Sequence, residues 1–268
     1  GNCHQYGRQA LYTDQFALRY FSPDYKTPKS GQVLFTDSSG NEVIWKEIKA
    51  DTSGRFTGRQ ASNGYIYVTY NSAREQAAII NMTGNAMFYL NGEPHAGDPY
   101  EHSYLNIPVR LKKGLNEIYI RTSSLMRQGV KARILFPASP VSISTDDTTL
   151  PHIVPGQNNE SLIGGVVIFN ATPRPLSDLK IRSNLMGNEV VTDLPAIPPY
   201  SSRKVPFRFN GSALKEKGST DCELILLSGN RTITRSLIKV ESVNSGDPYN
   251  CTFISEIDGS VQYYAVNP

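Results

Sequence analysis

The side chains best suited to chemistry crowd into one short polar stretch in the first half of the chain. They are three carboxylates, two histidines and one tyrosine: Glu93, His95, Asp98, Tyr100, Glu101 and His102. Carboxylates and imidazoles on a loop can bind a metal ion or a sugar. Three interpretations stay open: a solvated loop without a ligand, which we favour, a structural calcium site and a ligand site. Tyr100, which follows Pro99, is the best candidate for stacking on a sugar ring.

The motifs that would give the chain an enzymatic activity of its own are missing from its sequence. Neither the Gly-x-Ser-x-Gly turn of α/β-hydrolases nor the glycine-rich loop that cradles phosphate occurs, and no Cys/His group has zinc spacing. The paired carboxylates of glycosidases need not be close in sequence, so spacing identifies none. We therefore expect no catalytic residue and no cofactor, a structural calcium ion being the possible exception. A small stand-alone jelly-roll enzyme stays an alternative.

Three cysteines, Cys3, Cys222 and Cys251, are too few for a disulfide scaffold. An odd number leaves at least one thiol unpaired within the chain. Cys222 and Cys251 could approach each other, but their spacing does not show it. We favour buried, inert thiols.

Composition excludes several classes of protein. The chain has 268 residues, of which 39% are hydrophobic and 19% charged, so it should bury a core rather than stay disordered. A formal net charge of +3 is too small for a nucleic-acid footprint. No apolar run approaches the length of a transmembrane helix. These numbers name no function.

The sequence pattern predicts that the polar stretch is positioned by short strands separated by turns. In residues 1–140 the strand candidates are 43–48, 64–70, 77–82, 86–90, 104–111, 117–121 and 130–136. Asn91-Gly92 is a strong hairpin signal, and Pro108 places its strand at a sheet edge or a bulge. The only helix candidate is 9–20. This pattern predicts a jelly-roll β-sandwich.

A second all-β series begins after a linker-like segment that includes residues 144–149. Its strand candidates are 163–169, 179–182, 189–192, 204–209, 222–227 and 233–240, with 141–144 as a further one. This number of strands in residues 141–243 predicts an Ig-like β-sandwich, although the cysteine–tryptophan–cysteine hallmark is absent. Residues 244–268 read as a linker and a β-hairpin, which either docks on this sandwich or opens a further domain.

Several aromatic residues lie on the predicted strands of the first sandwich. Trp45 could stack on a sugar, but its apolar surroundings favour core packing. Tyr65, Tyr67 and Tyr119 occupy alternating strand positions, so we expect them to pack on one face with their hydroxyls at its boundary.

Three stretches of the first sandwich carry a resemblance to a known family. They are 45–51 (WKEIKAD), 89–93 (YLNGE) and 107–118 (IPVRLKKGLNEI). In this order they resemble the galactose-binding-like jelly roll attached to many bacterial hydrolases. The tail, 253–268 (FISEIDGSVQYYAVNP), is similar to the opening hairpin of α/β-hydrolase domains of the prolyl oligopeptidase and esterase type.

The resemblance implies that the chain is the non-catalytic front of a larger bacterial hydrolase, with a glycan and a downstream catalytic domain as partners. A cell-surface module that binds protein is the alternative from another class. The chain is rich in Asn, Ser, Thr and Tyr, which suggests a secreted, periplasmic or cell-surface location. Six Asn-x-Ser/Thr sequons are weak evidence for glycosylation, because such a composition produces them by chance.

Overall fold

The computed structural model describes residues 14–37, 39–58, 61–123 and 128–268. Within them one short helix, α1 (Gln15–Tyr20), precedes nineteen strands. The strands are β1 (Val33–Thr36), β2 (Glu42–Ile44), β3 (Arg55–Phe56), β4 (Tyr65–Ser72), β5 (Gln76–Thr83), β6 (Asn85–Leu90), β7 (Glu93–Ala96), β8 (Asn106–Leu111), β9 (Gly114–Thr122), β10 (Val130–Leu135), β11 (Val141–Thr149), β12 (Leu162–Asn170), β13 (Leu179–Leu185), β14 (Asn188–Asp193), β15 (Ser201–Phe209), β16 (Gly218–Ser228), β17 (Arg231–Ser242), β18 (Tyr249–Ile254) and β19 (Val261–Val266). The predicted fold class, an all-β chain with a jelly roll followed by an Ig-like sandwich, is confirmed.

The described residues form two compact units. The first contains those up to Ala73 together with Met82–Leu105 and Lys112–Arg133, and the second contains Arg74–Asn81, Asn106–Leu111 and Ile134–Pro268. The division of the sequence into residues 1–140, 141–243 and 244–268 remains a prediction.

The first unit is built around an antiparallel sheet with the strand order β4-β9-β6-β7. Its register sets Tyr67, Tyr119 and Tyr89 side by side on three neighbouring strands. Two smaller pairings, β1 with β2 and β3 with β10, complete the sheet structure of this unit. The turn from β6 to β7 is the predicted Asn91-Gly92 hairpin, and both residues have the positive φ that such a two-residue turn requires.

The second unit contains two sheets with the orders β11-β12-β15 and β14-β13-β16-β17. Alternate residues of their strands form one apolar core that includes Val166, Ile168, Phe207 and Leu224. Gly164 is required here, because a Cβ on it would lie 2.5 Å from the ring of Phe207. These seven strands are the ones that the sequence pattern predicts for an Ig-like sandwich. Strands β5 and β8 pair with each other, and β8, which carries Pro108, is an edge strand as expected.

Three expectations about local structure are corrected. Residues 144–149 do not form a linker but belong to β11, because they run along β12 with an irregular register that tolerates their polar side chains. The strand predicted at 43–48 ends at Ile44, so Trp45 lies just beyond β2. The helix predicted at 9–20 is α1, since Asp14 caps its first turn; residues 9–13 lie outside the described part of the chain.

The C-terminal hairpin of β18 and β19 docks on the sandwich of its own unit. The hydroxyl of Thr252 donates to the carbonyl of Ile163 over 2.5 Å, and Val261 is buried against Gly165. The hairpin therefore contacts the sandwich, and the start of a further domain at this hairpin remains a prediction.

Three of the six sequon asparagines are buried and hydrogen-bonded. Asn81 donates to Asn106, Asn159 donates to the carbonyl of Val154, and Asn170 is fully enclosed. These three asparagines are therefore part of the packed interior of the fold. None of the helices among the described residues is long and apolar enough to cross a membrane.

Candidate functional site

The second part of the polar stretch, from Asp98 to His102, lies in a loop after β7 that is held from inside by one carboxylate. Asp98 is 4% exposed, and its side chain accepts hydrogen bonds from the backbone amides of His102 (3.0 Å) and Ser103 (2.7 Å). Its own backbone amide donates to the side chain of Asn85, and its carbonyl accepts from Gly84. A charged acceptor bonded to two amides is a strong restraint. Asp98 therefore fixes the loop rather than reaching for a ligand.

The loop is bent by two residues in an unfavourable backbone region. Glu101 and Ser103 have φ of 60° and 70°, a backbone region that residues other than glycine rarely adopt. The carboxylate of Glu101 accepts from the backbone amide of Gln128 over 2.9 Å, which ties the loop to the start of β10. Strain of this kind persists only where the surroundings impose it, and it is common at binding sites.

The bend presents a row of three rings on the surface. The rings of His102 and Tyr104 are stacked, with centroids 5.2 Å apart and planes 12° from parallel, and the ring of Tyr100 lies 6.0 Å from His102. Tyr100 is 70% exposed and Tyr104 is 38% exposed. We call Tyr100, His102 and Tyr104 the aromatic row. Its rings offer apolar faces beside polar edges, which is what a sugar ring requires of a stacking partner.

The two remaining predicted residues lie on β7, away from the bend. Glu93 is exposed at the start of the strand. His95 stacks on Phe88 with ring centroids 4.8 Å apart, and its buried Nε2 has no hydrogen-bond partner. Burial lowers the pKa of His95, an effect that Glu93 partly opposes. His95 is therefore held as a neutral ring that packs against the sheet.

The calcium interpretation gains no support from the arrangement of these groups. Among the residues that the structure describes, no three His, Cys, Asp or Glu side chains converge as metal ligands would. The carboxylates of Asp98 and Glu101 both accept from backbone amides instead. These residues are neighbours in the sequence, but in the structure each has its own contacts and they do not form one ligand set.

A second cluster, which the sequence reasoning only partly foresaw, lies on one face of the central sheet of the first unit. Phe16 of α1 is buried there and stacks on Tyr65 with centroids 3.9 Å apart; its other ring neighbours are Tyr20, Tyr25, Trp45, Tyr89 and Tyr119. Trp45 thus packs in the core as favoured, and Tyr65, Tyr67 and Tyr119 share one face as expected.

Two carboxylates satisfy hydroxyls at the edge of this cluster. Asp14 caps α1 through the amides of Phe16 and Ala17 and also accepts from the hydroxyl of Tyr65 over 2.6 Å. Glu117 accepts from the hydroxyl of Tyr67 over 2.9 Å. Burial and these bonds raise the pKa of both tyrosines, which keeps them protonated donors. The sequence analysis missed this contact, because it placed Asp14 inside the predicted helix; an Asp just before a helix is the N-cap signal that could have indicated it.

Cys222 and Cys251 are both free thiols, and Cys3 lies outside the described part of the chain. Cys251 is half-buried, unlike the buried thiol that we expected. Burial raises the pKa of Cys222 to about 11, so its thiol stays protonated and unreactive near neutral pH. This agrees with the expectation of an inert thiol for Cys222.

No family model matches the chain, and no curated protein matches it. Among solved structures, the chain is similar to one described as a β-glucuronidase from glycoside hydrolase family 2, with 10% identity over 90% of this chain and 30% of that chain and a TM-score of 0.35. A glycosyl hydrolase family 2 member from Bacteroides cellulosilyticus gives 13% identity over 90% and 35%, with a TM-score of 0.33. The transglutaminase of red sea bream gives 12% over 69% and 30%, with a TM-score of 0.29.

The chain spans about a third of the length of these three structures. None of the three is described as a prolyl oligopeptidase or an esterase, the type that the tail resembles. With TM-scores below 0.5, the similarities do not bear on the activity of this chain.

Proposed function

We propose that this chain is a non-catalytic accessory region of an extracytoplasmic bacterial hydrolase and that it binds glycan through the aromatic row. The observation that carries the proposal is the fixed, exposed set of rings at Tyr100, His102 and Tyr104. The loop is braced before any ligand arrives, because Asp98 and Glu101 are already bonded to backbone amides. A braced loop loses little conformational entropy on binding.

The size of the expected contact follows from the exposure of Tyr100. A tyrosine buries roughly 150–250 Å² when fully enclosed. Since 70% of this residue is exposed, covering one ring face would remove on the order of 60–80 Å² from water. At about 25 cal/mol per Å² this is about 1.5–2 kcal/mol. Removal of the ring should therefore weaken glycan binding by about tenfold or somewhat more.

Glycan-array binding followed by affinity electrophoresis in the retained polysaccharide tests this proposal. Tyr100→Ala should abolish most of the retardation of the wild-type protein. Tyr263→Ala is the matched control, because Tyr263 is the same residue type with 66% exposure on β19. Retention that survives Tyr100→Ala, or no retention of the wild-type protein on any plant or host polysaccharide, would refute glycan binding by the row.

The accessory role and the extracytoplasmic location are further parts of the proposal. The tail at 253–268 supports a catalytic partner of the α/β-hydrolase type by sequence resemblance alone. A natural reading frame that continues past Pro268 into a domain with Gly-x-Ser-x-Gly would support this role. A stop codon directly after Pro268, or turnover of ester, peptide or glycoside substrates by this chain itself, would contradict it.

A further inference from the structure

The segment between β11 and β12 connects β17 with the C-terminal hairpin. On one side the amide of Ile153 donates to the carbonyl of Glu241 over 2.8 Å, and the amide of Val243 donates back to Ile153 over 2.9 Å. On the other side the amide of His152 donates to the carbonyl of Asn250 over 2.9 Å. The start of β18 is thereby attached to the sandwich through His152.

The return bond to β18 is made by a side chain instead of a carbonyl. The backbone amide of Asn250 donates to Nδ1 of His152 over 3.0 Å. A ring nitrogen accepts a hydrogen bond only when it carries no proton, so the imidazole must be the neutral tautomer with its proton on Nε2. Nε2 lies 3.5 Å from a carboxylate oxygen of Glu241, which suits a donor at that position.

We propose that His152 is a pH-sensitive latch for the start of the C-terminal hairpin. When the imidazole takes a second proton from solvent, that proton occupies Nδ1 and faces the amide proton of Asn250. Two donors then oppose each other, and the bond to β18 is lost. The proposal stands on this geometry and is independent of the glycan site.

The His152 ring faces one carboxylate and is partly open to solvent. Glu241 of β17 faces Nε2 at 3.5 Å, and the His152 side chain is 24% exposed, so solvent protons can reach the ring. Titratable groups on the neighbouring elements include Tyr249 of β18, whose hydroxyl accepts from Gln157, the free thiol of Cys251 on the same strand, and the pair of Asp247 with Lys217 at 3.0 Å.

Opening should be confined to the first residues of β18. Thr252 and Val261 hold the rest of the hairpin through a hydroxyl bond to Ile163 and burial against Gly165, and neither group titrates. The hairpin then frays at the end near Tyr249 while its far end stays docked.

Hydrogen exchange at the amide of Asn250, corrected for the intrinsic pH dependence of exchange, measures the latch. Between pH 8 and pH 5, where histidine side chains take up a proton, its protection factor should fall by roughly fivefold, the effect of losing one hydrogen bond. The amide of Ile153 is the internal control, since its acceptor is a carbonyl.

Two variants separate the latch from general acid destabilisation. In His152→Asn the side-chain oxygen replaces Nδ1 as an acceptor that cannot be protonated near neutral pH, so the protection of Asn250 should become independent of pH. In Glu241→Gln the bond from the Asn250 amide to Nδ1 is left in place, so the protection of Asn250 at pH 8 should stay as in the wild-type protein.

The wild-type protein also gives a direct answer without any substitution. Nitrogen chemical shifts of the His152 ring should show Nδ1 unprotonated at pH 8 and protonated at pH 5. A proton on Nδ1 at pH 8, an unchanged protection factor for Asn250 at pH 5, or the same fall in His152→Asn would each overturn the proposal.

Discussion

Asparagine in place of Asp98 tests how the loop that carries the aromatic row is held. The substitution keeps the shape of the side chain but replaces one oxygen with an NH₂ group. The two oxygens of Asp98 accept separately from the amides of His102 and Ser103. One of these amides would therefore face a donor in a site that is 4% exposed.

The cost can be worked out from these contacts. Losing a hydrogen bond to a charged acceptor costs about 1.5–3 kcal/mol, and an unsatisfied buried donor adds about 1 kcal/mol or more. The positive φ at Glu101 and Ser103 then lacks its main restraint. We expect the free energy of unfolding to fall by about 3 kcal/mol, which is a drop of roughly 6–12 °C in Tm.

Urea unfolding followed by tryptophan fluorescence measures this change in the relevant unit. Trp45 is the only tryptophan, and it packs on Phe16 in the unit that contains the loop. Asp51→Asn is the control for loss of charge alone, because exposed Asp51 accepts from two backbone amides through one oxygen, which the side-chain oxygen of asparagine can replace. If both variants shift the midpoint equally, the burial argument is refuted.

Two further predictions concern the second unit. Asn170→Ala should lower the free energy of unfolding by about 2–4 kcal/mol, because the enclosed amide donates to three carbonyls and its oxygen accepts from Thr172; chemical denaturation followed by circular dichroism measures the loss. At pH 8 iodoacetamide should label Cys251 well before Cys222, because Cys222 is buried and burial raises its pKa to about 11; peptide mapping by mass spectrometry reads the order.

Controls for these two predictions come from the same unit. Asn230 belongs to an exposed sequon in the turn between β16 and β17, so Asn230→Ala should change stability little. A comparable loss in both asparagine variants would contradict the role of the enclosed bonds. Labelling of Cys222 at the same rate as Cys251 in folded protein would show that its site opens readily.

Most strands could be predicted because their burial alternates within a single element. In β13, for example, every second residue from Leu179 to Leu185 is buried, and the same alternation is visible in the sequence. The polar end of β11 could not be predicted this way, because its strand conformation comes from pairing with β12 and not from its own composition. Asn91-Gly92 was predictable, since the turn chemistry is local.

The same distinction between local signals and contacts with distant residues applies to the candidate site. The exposure of Tyr100 follows from its place after a proline in a polar loop, and the sequence pointed to it. The role of Asp98 depends on where the amides of His102 and Ser103 turn, which side-chain spacing cannot show. The contacts of Phe16 join α1 to strands much later in the chain, so no local pattern predicts them.

Those long connections have a consequence for the order of folding. Phe16 is buried between Tyr65 and Tyr119, so the core of the first unit cannot close until β9 has formed. Contacts between positions so far apart require large loops to close first, which slows folding. During synthesis α1 leaves the ribosome long before its partners exist, and a helix of this length does not persist alone. The first unit should thus remain open to proteases and chaperones until the strand with Tyr119 emerges.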